Sequence, residues 1–359
     1  MKRIAYYISD VGWGHAARSI EVVKALKRLG RCRFLIVNSS AKELLKAELS
    51  QEEHMESPNP KEPGWGSEYI IDREGLKSRI REWALNLERV AEGEAERIAG
   101  FKPDLVICDV NPVAPLVAER LKVPCVVVSN FNWWDEYMHM FEDEDLLKPL
   151  KRAYDKSHWN FILPLESENR AFRLKERVEL VAKEHDAERV REIRRDLIRT
   201  YRPEIIAMVA AGGWKMPLPT SVERAMEEAS RKAKILWVIP HGLSIKSEGL
   251  TTHRLSKGSD FRNTLAACDF VISKYGYSTA SEALISRIPM LLIYRPEVPE
   301  DSFATEDLVM SGCALRFPYW ESISIPLETI HELKCHNRSS RLENRGAQRI
   351  ATRIWERFL

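Results

Sequence analysis

The chain has 359 residues, which is too long for one ordinary hydrophobic core and fits two α/β domains. Hydrophobic residues make up 44% and charged residues 30%, a globular composition that excludes a largely disordered chain. The 55 basic and 53 acidic side chains leave a formal net charge of +2, so charge gives no case for nucleic acid as the main partner.

The sequence contains no apolar run close to the ~20 residues that a helix needs to cross a membrane, so we expect no transmembrane segment. The sequence is compatible with peripheral contact with a membrane surface. The apolar stretch after Met1 is too short for a signal peptide. The six cysteines form no CxxC pair, and several lie in apolar runs, which is typical of buried reduced thiols. These features predict a cytoplasmic protein.

Short β-rich runs alternate with helical patterns in the first half of the chain. The strands are predicted at residues 4–9, 33–38, 105–108 and 124–129. The helices are predicted at residues 16–29, from residue 41, and at residues 76–99. This alternation predicts a parallel sheet that is covered on both faces.

The second half repeats the alternation after a highly charged stretch. Residues 166–202 are predicted to form a helical bridge between domains. The strands that follow are predicted at residues 205–210, 234–239, 270–273 and 290–294. The chain then ends in a basic amphipathic helix over residues 341–359, which is expected to pack back on the first domain. We therefore predict two Rossmann-like open parallel-sheet domains, at residues 1–165 and 203–340, facing across a cleft.

A glycine-rich turn follows the first strand, at a position where open α/β sheets bind ligands. Gly12 and Gly14 match a dinucleotide-binding fingerprint, but the acidic residue that NAD needs after the second strand is missing, and NADP would rely on Lys42 alone. His15 begins the next helix, where the positive helix end favours a neutral base. It is either a general base or a structural histidine. Arg18 either orients an acidic group or packs at the surface.

A second strand–turn–helix constellation is the strongest segment of the chain. Lys274 ends a strand, Gly276 forms the turn, and Ser278 and Thr279 open a helix whose free N–H groups suit a diphosphate. Glu282, one turn further, is placed to accept both hydroxyls of a ribose. The alternative for the two hydroxyls with Glu282 is an ordinary capping box.

Several other residues follow predicted strands and complete the set of candidates. Asp109 and Asn111 either hold an acceptor hydroxyl or support His15, and the alternative is a helix cap at Asn111-Pro112. Trp133 either stacks on a sugar ring or belongs to the core. The remaining candidates are Asn130 beside the acceptor, His241 near a nucleobase, and Gly212 and Gly213 as a second phosphate turn.

A metal site is not expected. His331, Cys335 and His336 lie close together in the sequence but lack a fourth ligand at the usual spacing, which favours a surface helix.

Two motifs carry a resemblance to a known family. Gly-Trp-Gly14-His15-Ala-Ala-Arg18 and Ser-Lys274-x-Gly276-x-x-Thr279-x-x-Glu282 resemble the GT-B glycosyltransferases. That group includes the N-acetylglucosaminyltransferase of peptidoglycan lipid synthesis and the UDP-dependent glucosyltransferases. A closer likeness is to the glycosyltransferase-like amino-terminal region of plant arabinokinases and its stand-alone microbial relatives. The stretches that carry it are Pro103-Asp-Leu-Val-Ile-Cys-Asp109, Val128-Ser-Asn130-Phe131-Asn132-Trp133 and Pro299-Glu300-Asp301-Ser-Phe303.

The resemblance implies a nucleotide-sugar donor held mainly by the second domain, an acceptor held by the first, and His15 as the base. No cofactor is implied. The sequence departs from the family at Ser278, where a glycine is common in the arabinokinase-like group. The usual pattern that holds the donor sugar is also absent, and Glu300-Asp301 and Glu306-Asp307 occupy its region.

The sequence thus predicts a glycosyltransferase that moves a sugar from a nucleoside-diphosphate donor, UDP-linked by family analogy, to an unidentified hydroxyl acceptor. Metal-independent, inverting displacement is expected. Two alternatives share this architecture: a UDP-sugar 2-epimerase and a non-catalytic nucleotide-sugar-binding protein.

Overall fold

A computed structural model describes residues 1–57, 62–65, 71–210, 218–318, 324–332 and 342–359 of the chain. The described residues form two parallel sheets, each flanked by helices. We call the seven-stranded sheet and its helices the first lobe, and the six-stranded sheet and its helices the second lobe. The predicted two-sheet α/β architecture is confirmed.

The strands of the first lobe are β1 (Lys2–Ile8), β2 (Cys32–Val37), β3 (Glu53–Met55), β4 (Leu105–Asp109), β5 (Cys125–Ser129), β6 (Trp159–Ile162) and β7 (Lys175–Arg177). They lie in the order β3-β2-β1-β4-β5-β6-β7, and all neighbours are parallel. Strands β4 and β5 are buried along their full length, because helices cover both faces of a parallel sheet.

The strands of the second lobe are β8 (Ile205–Ala210), β9 (Ile235–Ile239), β10 (Thr252–Arg254), β11 (Phe270–Lys274), β12 (Met290–Tyr294) and β13 (Ala314–Pro318). Their order is β10-β9-β8-β11-β12-β13, again entirely parallel. In both lobes the first strand lies inside the sheet and the order reverses beside it. Such a switch point opens a crevice at the carboxyl ends of the strands.

Helices cover both sheets. In the first lobe they are α1 (Gly14–Leu29), α2 (Lys42–Glu48), α3 (Arg73–Ala99), α4 (Val113–Leu121), α5 (Trp133–Phe141) and α6 (Glu144–Tyr154). The later helices are α7 (Ala187–Tyr201), α8 (Thr220–Lys232), α9 (Phe261–Ala266), α10 (Tyr277–Ser286), α11 (Pro299–Met310), α12 (Leu327–Glu332) and α13 (Gly346–Phe358). Within the described ranges, no helix is long and apolar enough to cross a membrane.

The charged stretch over residues 166–202 differs from its prediction. Only its last part, α7, is helical, whereas β7 lies earlier in the stretch and extends the first sheet at its edge. The internal strand β6 and the edge strands β3, β7, β10 and β13 were not predicted. Edge strands are short and tolerate charged residues, so they lack the apolar run that marks a central strand. The domain boundaries themselves stay predictions.

Helix α13 returns to the first lobe. It packs against α1, and a Cβ atom added to Gly30 would lie 2.2 Å from the ring of Trp355. At the start of α13, the Gly346 N–H donates to the Leu180 carbonyl at 2.9 Å. Arg353 then lies 3.3 Å from Glu176 of β7. The end of the chain is thereby attached to the edge of the first sheet.

Candidate active site

The two lobes meet where helices α1 and α10 begin. The Ser278 hydroxyl donates to the Gly14 carbonyl across this boundary at 3.1 Å. A Cβ atom on Gly14 would lie 3.3 Å from the Ser278 oxygen, a tight contact, so the small residue allows the second lobe to approach. Gly12 has a φ of +81°, a left-handed conformation that favours glycine. The glycine-rich turn therefore brings the carboxyl ends of both sheets together.

His15 forms a dyad with Asp109, the last residue of β4. Its Nδ1 atom lies 2.8 Å from Asp109 Oδ1, and the two residues are 9% and 0% exposed. β1 and β4 are neighbours in the sheet, which places the turn after β1 beside the end of β4. A proton on Nδ1 donates to the carboxylate and leaves Nε2 free as a base. The ring of Phe131 contacts the imidazole edge-on, with centroids 5.8 Å apart.

Arg18 binds the carboxylate of this dyad next to His15, and its Nη2 atom also lies 2.9 Å from His15 Nδ1. Its Nε lies 2.7 Å from Asp109 Oδ2, and its Nη2 lies 2.6 Å from Oδ1. The guanidinium is 2% exposed and also lies over the ring of Tyr277 in the second lobe, 4.9 Å from the centroid. Burial by itself raises the pKa of Asp109, but the charges of Arg18 and His15 lower it to about 2. The dyad carboxylate is therefore ionised at neutral pH.

A chain of hydrogen bonds continues from Arg18 into the second lobe. Arg18 Nη1 donates to Asn130 Oδ1 at 2.6 Å, and Asn130 Nδ2 donates to Glu300 Oε1 at 3.0 Å. The oxygen of the Asn130 amide thus accepts from Arg18, and its nitrogen donates to Glu300. Asn130 is fully buried, so this orientation is fixed by its partners.

Lys274 lies at the end of β11, directly before the turn that leads into α10. It is half-buried, and its Nζ atom donates to the carbonyl of Tyr275 at 3.3 Å. Burial and the neighbouring charge of Arg295 lower its pKa to about 8. Because burial disfavours the charged form of Lys274, an anionic ligand beside it would stabilise that form.

Helix α10 begins without a capping side chain. Its N-cap residue is Gly276, which forms no side-chain cap hydrogen bond, and Glu282 lies beyond the first turn of the helix. The predicted capping box is therefore wrong as the explanation of Ser278, Thr279 and Glu282. No described atom lies within 4 Å of a Cβ added to Gly276, so there is open space before the helix start. Its first N–H groups are available to an anion.

Glu282 is half-buried on α10. Burial raises its pKa to about 7, and the charges of Arg262 and Lys183 offset part of this shift. Ligand hydroxyl groups that donate to this carboxyl group would stabilise its charged form.

For Asn111 and Trp133 the structure decides between the alternatives that the sequence left open, and it shows the exposure of His241. Asn111 accepts from the Val113 N–H at 2.9 Å and so completes the start of α4, which is the helix-cap interpretation. Trp133 is 1% exposed and stacks on Tyr137 at 5.4 Å in the core, which is the core alternative and not that of a sugar platform. His241 follows β9 and is exposed to solvent.

The remaining candidates lie partly outside the described residues. Gly212 and Gly213, together with Cys335 and His336, fall in ranges that the structure does not describe. Within the described part of the chain, no group of three or more His, Cys, Asp or Glu side chains is placed to hold a metal ion.

Two residues of the site were missed in the sequence. Ser19 donates to Asp109 Oδ2 at 3.1 Å, and Glu136 accepts from the Glu300 N–H at 2.9 Å. Ser19 carries no signal beyond lying one helical position after Arg18. Glu136 had a signal: it is a carboxylate among aromatic residues directly after a predicted strand.

The sequence model of glycosyl transferase family 1 matches residues 2–302. The chain is also 25% identical over 331 residues to an Arabidopsis thaliana protein named L-arabinokinase. This match covers 87% of the chain but 30% of the relative, so the chain spans about a third of that protein's length.

Solved structures share the whole fold. The spinosyn forosaminyltransferase superposes with a TM-score of 0.69 at 15% identity, covering 99% of this chain and 98% of that one. Phytolacca americana UGT2, complexed with UDP-2fluoro-glucose and pterostilbene, superposes with a TM-score of 0.62 at 12% identity, covering 99% and 95%. At such identities the likeness establishes the two-lobed fold, in which two Rossmann-like halves face each other.

Proposed function

Because this chain belongs to glycosyl transferase family 1 and is a glycosyltransferase of the GT-B fold, we propose that it transfers a sugar from a UDP-linked donor to an acceptor hydroxyl by inverting, metal-independent displacement. The observation that carries the proposal is the His15–Asp109 pair, 2.8 Å apart at the carboxyl ends of neighbouring strands. It lies directly opposite the start of α10, the helix that carries the donor motif.

His15 acts as the general base in this proposal. Its Nε2 atom takes the proton of the acceptor hydroxyl while that oxygen bonds to the anomeric carbon. The bond from the anomeric carbon to the diphosphate breaks, and the leaving diphosphate keeps the electron pair. A well-placed base contributes on the order of 10²–10⁴ in rate.

Asp109 and Arg18 prepare the base. Asp109 accepts from Nδ1, which sets the tautomer with a free Nε2 and stabilises the imidazolium that forms. Arg18 keeps the buried carboxylate ionised and fixes its orientation through two hydrogen bonds. Neither residue needs to touch the substrate.

The second lobe provides the donor site. The start of α10, with Ser278 and Thr279, would bind the diphosphate, and Lys274 would add a compensating positive charge. Glu282 would accept from the ribose hydroxyls. We extend the site to His241 for the nucleobase and to the turn at Gly212 and Gly213 for phosphate. The complex of Phytolacca americana UGT2 with a UDP-sugar supports the choice of a uridine nucleotide.

We assign recognition of the donor sugar to Glu300. Of the two acids at the start of α11, Asp301 is 2% exposed and pairs with Arg295 at 2.6 Å inside the second lobe. Glu300 instead points across the boundary to Asn130. Its carboxylate is therefore the one available to sugar hydroxyls.

The lobes must separate to admit the donor. In the present conformation the Ser278 hydroxyl is used by the Gly14 carbonyl, so it cannot donate to a phosphate at the same time. Opening frees this hydroxyl, which then donates to the diphosphate in place of the Gly14 carbonyl, and closure over the bound donor excludes water that would hydrolyse it. We propose the cytoplasm as the compartment and leave the hydroxyl acceptor unassigned.

Product analysis tests the proposal. The protein is incubated with UDP-sugars, with and without a panel of hydroxyl acceptors, in the presence of EDTA. Transfer predicts a glycosylated acceptor and free UDP that depend on the acceptor. A new UDP-sugar formed without any acceptor would instead support the 2-epimerase, and donor binding without turnover would support a nucleotide-sugar sensor. Activity that EDTA abolishes and magnesium restores would contradict the metal-independent mechanism.

A further inference from the structure

The start of helix α11 in the second lobe is completed by a side chain from the first. The N-cap residue of α11, Val298, provides no side-chain hydrogen bond. The Glu300 N–H, in the first turn of α11, donates instead to Glu136 Oε2 at 2.9 Å. Glu136 belongs to α5 of the first lobe. The first N–H groups of a helix have no partner within the helix, so a carboxylate here acts as a cap supplied by the opposite lobe.

Glu136 occupies an unfavourable place for a carboxylate: although Ser167 of the first lobe is a hydrogen-bond partner, burial and the nearby Glu300 and Asp301 carboxylates raise the pKa of Glu136 well above its usual value. It is 1% exposed, and its Oε1 atom has no hydrogen-bond partner among the residues that the structure describes. Burying such a group is costly, and an apolar residue at this position of α5 would avoid the cost. The contact with α11 exists only while the two lobes are together.

Glu300 is thereby held from two sides by the first lobe. Its N–H is bound to Glu136, and its side-chain Oε1 accepts from Asn130 at 3.0 Å. Asn130 in turn accepts from Arg18 at 2.6 Å, and Arg18 pairs with Asp109. The carboxylate of Glu300 is therefore oriented by a chain that leads through Asn130 and Arg18 to His15, while Glu136 holds its backbone.

We propose that Glu136 is a positioning residue: it holds the start of α11, and with it Glu300, in place for the donor sugar only when the lobes are closed. This inference rests on the proposed function for the role of Glu300. It adds that recognition of the donor sugar is completed by the first lobe. A donor bound to the open protein is then held by its nucleotide alone, and the sugar is fixed at the moment when His15 also reaches it.

Hydrogen exchange tests the cap directly. Amide exchange is measured in a peptide that covers residues 298–303 for the wild type, Glu136→Gln and Glu136→Ala. The wild-type Glu300 amide should be protected, and Glu136→Ala should lose about tenfold or more of this protection. Glu136→Gln should keep most of it, because its amide oxygen still accepts the hydrogen bond. Glu144→Ala, an exposed change at the start of α6, is the matched control and should leave the peptide unchanged.

Binding of UDP and of UDP-glucose tests the positioning role. Glu136→Ala should bind UDP like the wild type and should lose most of the extra affinity that the glucose adds. Unchanged exchange in Glu136→Ala would overturn the proposed cap. If Glu136→Ala loses the protection but glucose still adds as much affinity as in the wild type, the positioning role is overturned. The contact of Glu136 with Glu300 is then only structural. If the wild type binds neither nucleotide, the proposed function fails, while the exchange measurement still decides whether Glu136 holds Glu300.

Discussion

Arg18 and Asp109 form a two-point ion pair inside the first lobe, with Nε 2.7 Å from Oδ2 and Nη2 2.6 Å from Oδ1. The carboxylate that orients His15 is thus already compensated by an arginine that lies one helical turn after the histidine. Removing either partner would leave a buried charge without its counterpart, which is far more costly than losing a surface pair. The stability of the first lobe and the geometry of the base are therefore coupled.

His15→Ala should abolish transfer while leaving UDP affinity nearly unchanged, because the proposed base lies in the first lobe and the proposed nucleotide site in the second. We expect a loss of about 10²–10⁴ in kcat. Steady-state turnover and calorimetric titration with UDP measure the two effects separately. Turnover near the wild-type value would remove His15 from the mechanism.

Asp109→Asn should lower both activity and stability. The amide can donate to Nδ1 and favour the wrong tautomer of His15, and it leaves Arg18 buried without a counter-charge. We expect a loss of about 3–5 kcal/mol in the free energy of unfolding. Ser19→Ala is the matched control, since it removes one hydrogen bond to Asp109 without touching the charges, and it should cost only about 1 kcal/mol. Denaturant unfolding checks both, and equal losses would contradict the coupling.

UDP affinity should depend on pH through Lys274. Its pKa in the free protein is lowered to about 8, and a bound diphosphate favours the charged form, so the pKa is higher in the complex. Affinity should therefore fall by up to about tenfold per pH unit above pH 8, a range above the one near pH 7 in which Glu282 ionises. Titrations from neutral to alkaline pH measure this slope. Lys274→Gln should bind more weakly and lose the slope, whereas the exposed Lys232→Gln should keep it. A slope that survives in Lys274→Gln would exclude this assignment.

Glu282→Ala should weaken binding of a ribose nucleotide by about 1.5–3 kcal/mol, the range for hydrogen bonds to a charged group. The loss should be much smaller for a 2′,3′-dideoxy nucleotide, because the hydroxyls that Glu282 would accept from are already absent. Calorimetry with the two nucleotides on wild type and variant makes the comparison. Equal losses for both nucleotides would rule out Glu282 as the ribose ligand.

Gly346→Ala should loosen the attachment of α13 to the first lobe. An added Cβ would lie 2.1 Å from the Glu179 carbonyl and 2.8 Å from that of Leu180, and these backbone atoms cannot move as a side chain can. We expect a loss of about 1–3 kcal/mol in the free energy of unfolding. Gly93→Ala in α3 is the control, because no described atom lies within 4 Å of its Cβ, and it should gain about 0.5–1 kcal/mol. If Gly346→Ala is as stable as the wild type, α13 does not pack at this point.

The sequence by itself determined the two parallel sheets and the two helix starts that carry the candidate site. Central strands are continuous apolar runs, and the turns at Gly12 and Gly276 are followed at once by helices, so both signals are local. The edge strands could not be predicted from the sequence because they are short and carry polar residues. The charge pattern of residues 166–202 does not distinguish an edge strand from a helix, so the sequence predicts a helix where the structure has β7.

Only the tertiary structure decided which polar residues meet. His15 and Asp109 are 94 residues apart, and they pair because β1 lies next to β4, a matter of strand order that no local pattern contains. Whether a residue such as Trp133 is core or ligand platform depends on what packs over it. The contact of Glu136 with Glu300 requires, in addition, that two separately folded sheets dock face to face. Such long-range contacts arise from the summed packing of both lobes, so they become visible only once the fold is complete.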